Sequence, residues 1–365
     1  MKPADNDLFS AYARQGLFRH AIPKSHGGFG DRFTDLLQAH LAMGRDSRDP
    51  GLVLAVNAHL WGAVFPLLRH GNERQKDAWL RKLVRGEWRG GHAITEPQGG
   101  SDPAAMTCRA VRCDGGFRLD GEKRYITNVP DADLLIVYAR LDDAVSAFVV
   151  LRDDPGLTLR RNHTVAACRS APLGEVVLED CRIPADRLLG RVGAGLALLQ
   201  QALEWERAFI FAGIAGLMEW QLARAVDFSR RRRSGDAHLG RHQAIAHRLA
   251  DMRTRLDTVH LWLRECTRLA DAGKRLTLAA AQTKLVASQA FLQSTLDAIH
   301  ILGARGLEEA NGMSEWLNDA AAGRLFSGSD EVLRELIAAL LGTGAGYRPR
   351  FKSASNPGSR PENGG

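Results

Sequence analysis

Cysteine is scarce in this chain and follows no disulfide or metal-ligand pattern. Only five of the 365 residues are cysteines, an odd number, and no two of them form a C-x-x-C pair. Secreted disulfide frameworks use even sets of cysteines, and zinc sites use closely paired ligands. The sequence therefore predicts a protein of the reducing cytoplasm without a metal site. The cysteines are Cys108, Cys113, Cys168, Cys181 and Cys266.

Long hydrophobic runs are missing as well. No uninterrupted apolar stretch approaches the ~18 residues that mark a membrane-spanning helix, and the first residues lack the basic-then-apolar order of an export signal. We therefore expect neither export nor a membrane span. With 45% hydrophobic residues, the chain can still bury a large core, and it is too long for one small domain.

Acidic residues are in deficit. The chain has 42 Asp and Glu against 49 Lys and Arg, which gives a formal net charge of +7. A basic surface can bind nucleic acid, the phosphates of a coenzyme or an acidic carrier protein. An arginine-rich surface without any such partner explains the charge equally well, so the balance of charge alone leaves these possibilities open.

Hydrophobic periodicity divides the chain into three parts and a tail. Residues 7–90 have helical spacing, most clearly at 33–43, 60–69 and 75–84. Short β-rich runs between residues 91 and 190 predict a small β-barrel, with strands at 109–113, 117–119, 133–137, 147–151, 157–160 and 174–178. Four helical segments at 195–230, 240–272, 276–302 and 313–341 predict a bundle. The Gly-, Ser- and Pro-rich residues 342–365 predict a disordered tail.

Two motifs carry the functional signal. Residues 93–102 read A-I-T-E-P-Q-G-G-S-D, and residues 125–128 read Y-I-T-N. Glycines let the backbone approach a ligand closely, and the hydroxyl groups are small donors for a polar heterocycle or a phosphate. An ordinary strand-to-turn connection can also contain these residues. Together the two motifs resemble those of the acyl-CoA dehydrogenase flavoproteins, and the resemblance extends along almost the whole chain.

This resemblance implies an α+β multi-domain fold of the acyl-CoA dehydrogenase type. The expected units are an N-terminal helical domain at 1–90, a middle β-barrel domain at 91–190 and a C-terminal four-helix bundle at 191–341, before the tail. The resemblance also implies bound FAD between the β-barrel and the bundle. Residues that match the family's flavin contacts are Ile94 and Thr95 at the pyrimidine, Gly100 and Ser101 near the pyrophosphate, Tyr125 beside the ring system and Thr127 near N5.

In this family the neighbouring subunit completes the FAD site, which implies a homodimer or homotetramer. The matching residues for that part are Arg232, Gln243 and His300. The chain departs from the family pattern there, because Gly235 and Asp236 stand where the family has Phe and Gly. An alternative interpretation of the arginine run at 230–233 is a solvated helix end that the helix dipole favours.

The family's catalytic glutamate is missing. Ser327 occupies its position, immediately before Gly328-Ser329-Asp330. The backbone N–H of Ser327 can still polarise a thioester carbonyl, and Ser329 retains a hydroxyl where the family has a threonine near the flavin. A minority of the family carries the base on the first bundle helix in an L-x-x-E-R context, which here assigns the role of base to Glu206.

Three further expectations concern the surroundings of this base. Arg207 could hold the orientation or charge of Glu206, and burial beside the flavin should raise the pKa of Glu206. Asp330 is the nearest rival as base, although its place at the start of the last helix favours a solvent-facing or capping role. Trp205 is interpreted as a packing residue, with lining of the acyl pocket as the alternative.

The resulting prediction is FAD-dependent α,β-dehydrogenation of an acyl thioester on CoA or on an acyl carrier protein. The carrier-protein-linked dehydrogenases of specialised metabolism also lack the usual glutamate and keep the one on the helix. An electron-transfer flavoprotein is the expected electron acceptor, with oxygen as the alternative. The alternatives are a flavin-dependent monooxygenase or oxidase on the same fold, and a non-catalytic nucleic-acid-binding relative, motivated by basic residues such as Arg348 and Arg350.

Overall fold

The computed structural model describes residues 7–162 and 164–345, so most of the predicted tail lies outside the described residues. Helices form the N-terminal part. Asp7 begins the first of them by accepting a hydrogen bond from the Ser10 N–H at 2.8 Å, a typical N-cap contact. The helices are α1 (Leu8–Arg14), α2 (Phe33–Ser47), α3 (Pro50–His59), α4 (Phe65–His70), α5 (Glu73–Gln75) and α6 (Arg81–Val84).

Two π-helical turns interrupt this part. One, Leu60–Val64, joins α3 to α4 into one continuous helix, and the other, Lys76–Leu80, joins α5 to α6. The sequence predicted only the second half of the first of these helices, at 60–69. Every residue of α3 is buried, so it has no polar face from which a helical period could be recognised.

An eight-stranded sheet follows, in the order β6-β7-β3-β2-β4-β5-β8, with β1 paired to β4 in parallel. Strand β2 matches its prediction residue by residue, and the other predicted strands are longer than expected. Strand β1 was missed because two of its four residues are glycines. The strands are β1 (Gly90–Ala93), β2 (Arg109–Cys113), β3 (Gly116–Thr127), β4 (Leu134–Leu141), β5 (Ala144–Leu151), β6 (Leu157–Arg161), β7 (Leu173–Pro184) and β8 (Leu188–Leu189).

The C-terminal part is helical again, which confirms the predicted three-part architecture. The predicted helix at 313–341 is wrong in one respect, because the chain breaks between residues 324 and 329 into two helices. A short hairpin, β9 (Arg233–Ser234) and β10 (Ala237–His238), links the first two helices. The helices are α7 (Gly195–Arg231), α8 (Gln243–Asp271), α9 (Thr277–Leu302), α10 (Met313–Gly323) and α11 (Asp330–Leu340).

Helix α7 passes through the centre of the molecule. It crosses α2 so closely that a Cβ added at Gly44 would lie 1.7 Å from the carbonyl oxygen of Gly213, so glycine is required at this crossing. The helix Pro50–His70 and helix α7 are both long and apolar enough to span a membrane, but 94% and 67% of their most apolar windows are buried inside the protein. They are core helices, and together they bring residue 206 beneath strand β1.

Candidate active site

A buried carboxylate lies where α7 passes beneath the sheet. Glu206 is only 5% exposed. Its Oε1 accepts a hydrogen bond of 2.6 Å from the Ser327 hydroxyl, and the Nε2 of His92 lies 3.3 Å from its Oε2. Burial alone raises the pKa of Glu206, but the contacts with His92 and Ser327 and the charge of Arg207 outweigh it, so the pKa is lowered. The expected rise in the pKa is therefore wrong, because these partners stabilise the ionised form.

Ser327 lies in the break between α10 and α11. Its φ of 56° is left-handed, a conformation that a non-glycine residue adopts only when its surroundings impose it. The Nε of Arg207 imposes it in part by donating a 2.8 Å hydrogen bond to the Ser327 carbonyl. Arg207 therefore makes its hydrogen bond to the loop that carries Ser327, and it acts on Glu206 through its charge.

A second buried cation, Lys284 on α9, contacts the same loop. Lys284 on α9 donates to the Gly328 carbonyl at 2.8 Å and lies 3.7 Å from Asp330. Burial lowers the pKa of Lys284 to about 8, although the charge of Asp330 opposes the change. Asp330 is 1% exposed and pairs with Arg324 at 2.7 Å. The expectation that Asp330 faces solvent is therefore wrong, and a carboxylate so paired is unsuited to act as a base.

Ser329 caps the last helix. Its hydroxyl accepts a hydrogen bond from the Val332 N–H at 3.4 Å, and α11 begins at the next residue. The hydroxyl expected near the flavin thus has a structural role as a helix N-cap.

On the sheet side, the predicted phosphate turn is held by a buried ion pair. Glu96 and Lys123 meet at 2.8 Å, and both are almost completely buried. Burial raises the pKa of Glu96, but hydrogen bonds from Lys123, Thr107 and Cys108 outweigh it and lower the pKa to about 2. The turn is compact, because a Cβ added at Gly100 would lie 3.0 Å from the Thr95 hydroxyl oxygen. Ile94, Thr95, Gly100 and Ser101 therefore lie together directly after β1.

Tyr125 and Thr127 lie at the end of β3, next to β1. A Cβ added at Gly91 would lie 2.9 Å from the Thr127 carbonyl oxygen, which shows how close the two strands are. Tyr125 has a φ of 57° and is 55% exposed. An exposed aromatic ring on a strained backbone beside a glycine-containing turn fits a flavin ring system, so the sheet side of the site suits FAD.

The remaining predicted cofactor residues lie elsewhere. Arg231, the last residue of α7, is 25 positions beyond Glu206, which at about 1.5 Å per residue is roughly 38 Å along the helix. Arg232 follows it. Gln243 begins α8 and His300 is near the end of α9, and a contact of 2.7 Å between Arg248 and Asp297 holds these two helix ends together. Within one chain, this second group is thus far from the base.

Two polar residues of the site were missed by sequence reasoning. His92 lies on β1, immediately before the motif, and Tyr138 lies on β4, which pairs with β1. Burial, and then the charge of Glu206, raise the pKa of the Tyr138 phenol. A polar residue between glycines and alanine ahead of a motif was the available signal for His92, whereas nothing in the sequence connects Tyr138 to residue 206.

The three-part fold, the glycine-containing turn after β1 and the buried carboxylate Glu206 are the features expected of a flavin-dependent oxidoreductase. Family models agree along the chain: the N-terminal domain of acyl-CoA dehydrogenase matches residues 2–87, the middle domain 91–181 and the C-terminal domain 193–342. The chain belongs to the acyl-CoA dehydrogenase family and is an FAD-dependent dehydrogenase of acyl thioesters. The predicted family, fold, cofactor and reaction are thereby confirmed.

Relatives whose names describe carrier-protein substrates are among the proteins most similar to this chain. The L-prolyl-[peptidyl-carrier protein] dehydrogenase of Pseudomonas fluorescens is 37% identical over 330 residues, which cover 88% of this chain and 87% of the relative. The crystal structure of the prolyl acyl carrier protein oxidase AnaB is similar with a TM-score of 0.89 at 34% identity, covering 91% and 90% of the two chains. The structure of PigA with FAD and proline has a TM-score of 0.89 at 31% identity, covering 92% and 89%.

Proposed function

We propose that Glu206 is the base that removes the α-proton of the thioester. The observation that carries this assignment is the 2.6 Å hydrogen bond between Glu206 and Ser327, the residue at the family's usual base position. Two side chains in contact can serve the same α-carbon, so a carboxylate on α7 replaces one at residue 327. The Oε2 of Glu206 accepts no hydrogen bond from the described residues and is the oxygen available for the proton.

The backbone of Ser327 polarises the thioester in this proposal. Its N–H donates to no acceptor within the described chain, while Arg207 holds the carbonyl of the same residue. An N–H fixed in this way stabilises the charge that develops on the thioester oxygen when the α-proton leaves. When bound, FAD supplies the acceptor for the hydride that leaves the β-carbon. Thr95, Tyr125 and Thr127 would hold its ring system, and Gly100 and Ser101 its phosphates.

We infer that the acyl group is small. The cavity one turn of α7 beyond Glu206 has a volume of about 10 Å³, roughly the room that one water molecule requires. It is lined mostly by apolar side chains, among them Ile210 and Phe211, and also by Asp319. Trp205 stacks on Phe33 with 4.7 Å between the ring centroids, which supports a packing role for Trp205. A long alkyl chain does not fit this cavity, so the proposed substrate carries a short or cyclic acyl group, such as the prolyl group in the names of the relatives.

The acyl group of the proposed substrate is attached to a carrier protein, as the names of the relatives state for their substrates. The net charge of this chain agrees with such a partner. The chain carries a net charge of +7, and a basic surface favours an acidic partner through faster and more specific association. An electron-transfer flavoprotein remains the proposed electron acceptor, and a homodimer or homotetramer in the cytoplasm the proposed state. The five free cysteines suit a reducing compartment. The relatives favour neither a monooxygenase nor a nucleic-acid-binding protein, whereas the oxidase alternative is supported by one similar structure, the oxidase AnaB.

The test is anaerobic reduction of the bound flavin by a panel of acyl-CoA and acyl-carrier thioesters, including a prolyl thioester on a carrier protein. Wild type should bleach with a small acyl thioester, and Glu206→Gln should slow this by about 10²–10⁴-fold, the usual contribution of a general base. Glu204→Gln is the matched control, because Glu204 lies on the same helix but accepts hydrogen bonds from Leu276 and Thr277.

Three results would decide the assignment. Equal bleaching by wild type and Glu206→Gln would exclude Glu206 as the base. Bleaching by long-chain acyl-CoA alone would exclude a small acyl group. Reduced flavin that oxygen reoxidises as fast as an electron-transfer flavoprotein does would exclude the proposed acceptor.

A further inference from the structure

His92 is held in place by the fold. It is the third residue of β1, and its ring packs on Gly62 in the π-helical turn Leu60–Val64. A Cβ added at Gly62 would lie 2.9 Å from the Cγ of His92. Single π-helical turns inside helices are frequent at functional sites. The glycine in this turn leaves room for the imidazole, which reaches Glu206 on α7.

Unsatisfied polar atoms converge between His92 and Glu206. The described residues offer no hydrogen bond to the Oε2 of Glu206, the Nδ1 of His92 or the hydroxyl of Tyr138, although all three atoms are buried. Buried polar groups without partners are rare and call for an explanation. The Nε2 of His92 is 3.3 Å from Oε2, at ion-pair distance but outside hydrogen-bond geometry. Contacts between catalytic groups are often long before the substrate binds and tighten in the complex.

The two oxygens of Glu206 thus face different partners. Oε1 accepts from Ser327, and Oε2 faces His92. The other charged groups around the carboxylate are Arg207, which donates to the Ser327 carbonyl, and Lys284 and Asp330 behind the same loop. Within the described part of the chain, the polar contacts of these three groups are with the Ser327–Asp330 loop, whereas the Nε2 of His92 faces Oε2. His92 is therefore the group that can act directly on the oxygen that takes the proton.

We propose that His92 is a positioning residue for the base: its Nε2–H donates to one lone pair of Oε2, leaves the other lone pair for the α-proton, keeps the buried carboxylate ionised and directs it toward the α-carbon. With Nε2 as the donor, Nδ1 is the ring nitrogen that has no hydrogen-bond partner among the described residues. Without this donor, burial would favour the protonated form of Glu206, which cannot accept the α-proton. The lowered pKa of Glu206 agrees with this arrangement.

This inference rests on the proposed role of Glu206, and the experiment separates the two. Protonation of Glu206 is followed in the flavin-loaded enzyme by the infrared C=O band of its carboxylic acid, assigned by its absence in Glu206→Gln. The acidic limb of the pH profile for flavin reduction is measured in parallel. His92→Phe should move both midpoints upward by about one to two pH units, the effect of losing one hydrogen bond to a charged group.

Two further variants test donation. His92→Gln retains an N–H donor of similar reach and should recover at least half of the shift. Gly62→Ala leaves His92 in the sequence but displaces its ring, and should shift the midpoints in the same direction as His92→Phe. The Michaelis constant should change less than the rate of reduction.

The possible outcomes distinguish the role of His92 from that of Glu206. Unchanged midpoints in His92→Phe, with reduction still abolished in Glu206→Gln, would overturn the role of His92 and leave that of Glu206 intact. Equal upward shifts in His92→Phe and His92→Gln would overturn donation by Nε2. If His92→Phe fails to fold, His92→Gln and Gly62→Ala decide alone, because matching wild-type midpoints in both would overturn the proposal.

Discussion

At the scale of single residues, the chain shows how a catalytic group can move while its site stays in place. Glu206 and Ser327 are 121 positions apart and meet at 2.6 Å. The sequence predicted both residues from their motif positions but could not show that they touch. His92 was not predicted, because its importance comes from a partner on a helix more than a hundred residues away. Motifs identify residues, whereas contacts between distant elements require the folded chain.

This contact leads to a prediction about exchanging the base. Glu206→Gln/Ser327→Glu should reduce its flavin at least about tenfold faster than Glu206→Gln alone, because a carboxylate at residue 327 reaches the same space and a general base contributes about 10²–10⁴-fold. The single variant Ser327→Glu places two carboxylates together, so one of them should hold a proton and the acidic limb should move to higher pH. Stopped-flow reduction under nitrogen measures both effects.

A double variant that binds flavin and is as slow as Glu206→Gln would show that residue 327 no longer reaches the α-carbon. Ser327→Ala is the control for loss of the hydroxyl. This variant removes a hydrogen bond to Oε1 without adding a charge, so its rate of flavin reduction should fall less than that of Glu206→Gln.

At the scale of elements, sequence reasoning succeeded where local pattern decides the structure. Helices α7 and α9 begin and end within one residue of the prediction, and β2 matches it completely. It failed at the break between α10 and α11, because apolar residues continue through Leu325 and Phe326 as they would in one helix. The break is stabilised by tertiary contacts from Arg207 and Lys284 to two successive carbonyls, and the local sequence carries no sign of them.

Lys284 provides a test of this stabilisation through pH. Its pKa is about 8 in the folded chain against 10.5 for an ordinary lysine, since burial outweighs the attraction of Asp330. Between these values the unfolded chain binds more protons than the folded one, so stability rises with pH across this window. Relative to Lys284→Met, wild type should therefore gain up to about 3 kcal/mol from pH 8 to pH 10.5.

Urea unfolding at fixed protein concentration measures this gain. Lys82→Met, which changes an exposed lysine beside Trp88, should follow wild type at every pH. Parallel curves for wild type and Lys284→Met would show that Lys284 is not titrating in this range.

At the scale of the whole molecule, the candidate cofactor residues form two separate groups. One lies at the ends of β1 and β3, next to the strand whose His92 contacts Glu206. The other, with Arg232, Gln243 and His300, lies near the far end of α7, roughly 38 Å from Glu206 along the helix. The order of motifs along the chain was enough to predict the three-part fold. It could not show this separation, which depends on the length and direction of α7 in the folded protein.

The separation predicts complementation between inactive subunits. If each site combines the Glu206 side of one subunit with the Arg232 side of another, Glu206→Gln and Arg232→Ala should each be impaired alone. Hybrids formed by unfolding and refolding an equal mixture should regain activity, because one site of every mixed dimer receives both intact residues. Random pairing across a two-fold interface gives half mixed dimers with one intact site each, so about a quarter of wild-type activity is expected.

The measurement is thioester-dependent flavin reduction after co-refolding, with each variant refolded alone as the control. Sedimentation of the refolded mixture establishes whether dimers or tetramers carry the recovered activity. If both residues acted within one chain, mixing could not create an intact site, and the mixture would show only the average of the two variants. Recovery above that average therefore requires that α7 of one subunit contributes to the flavin site of another.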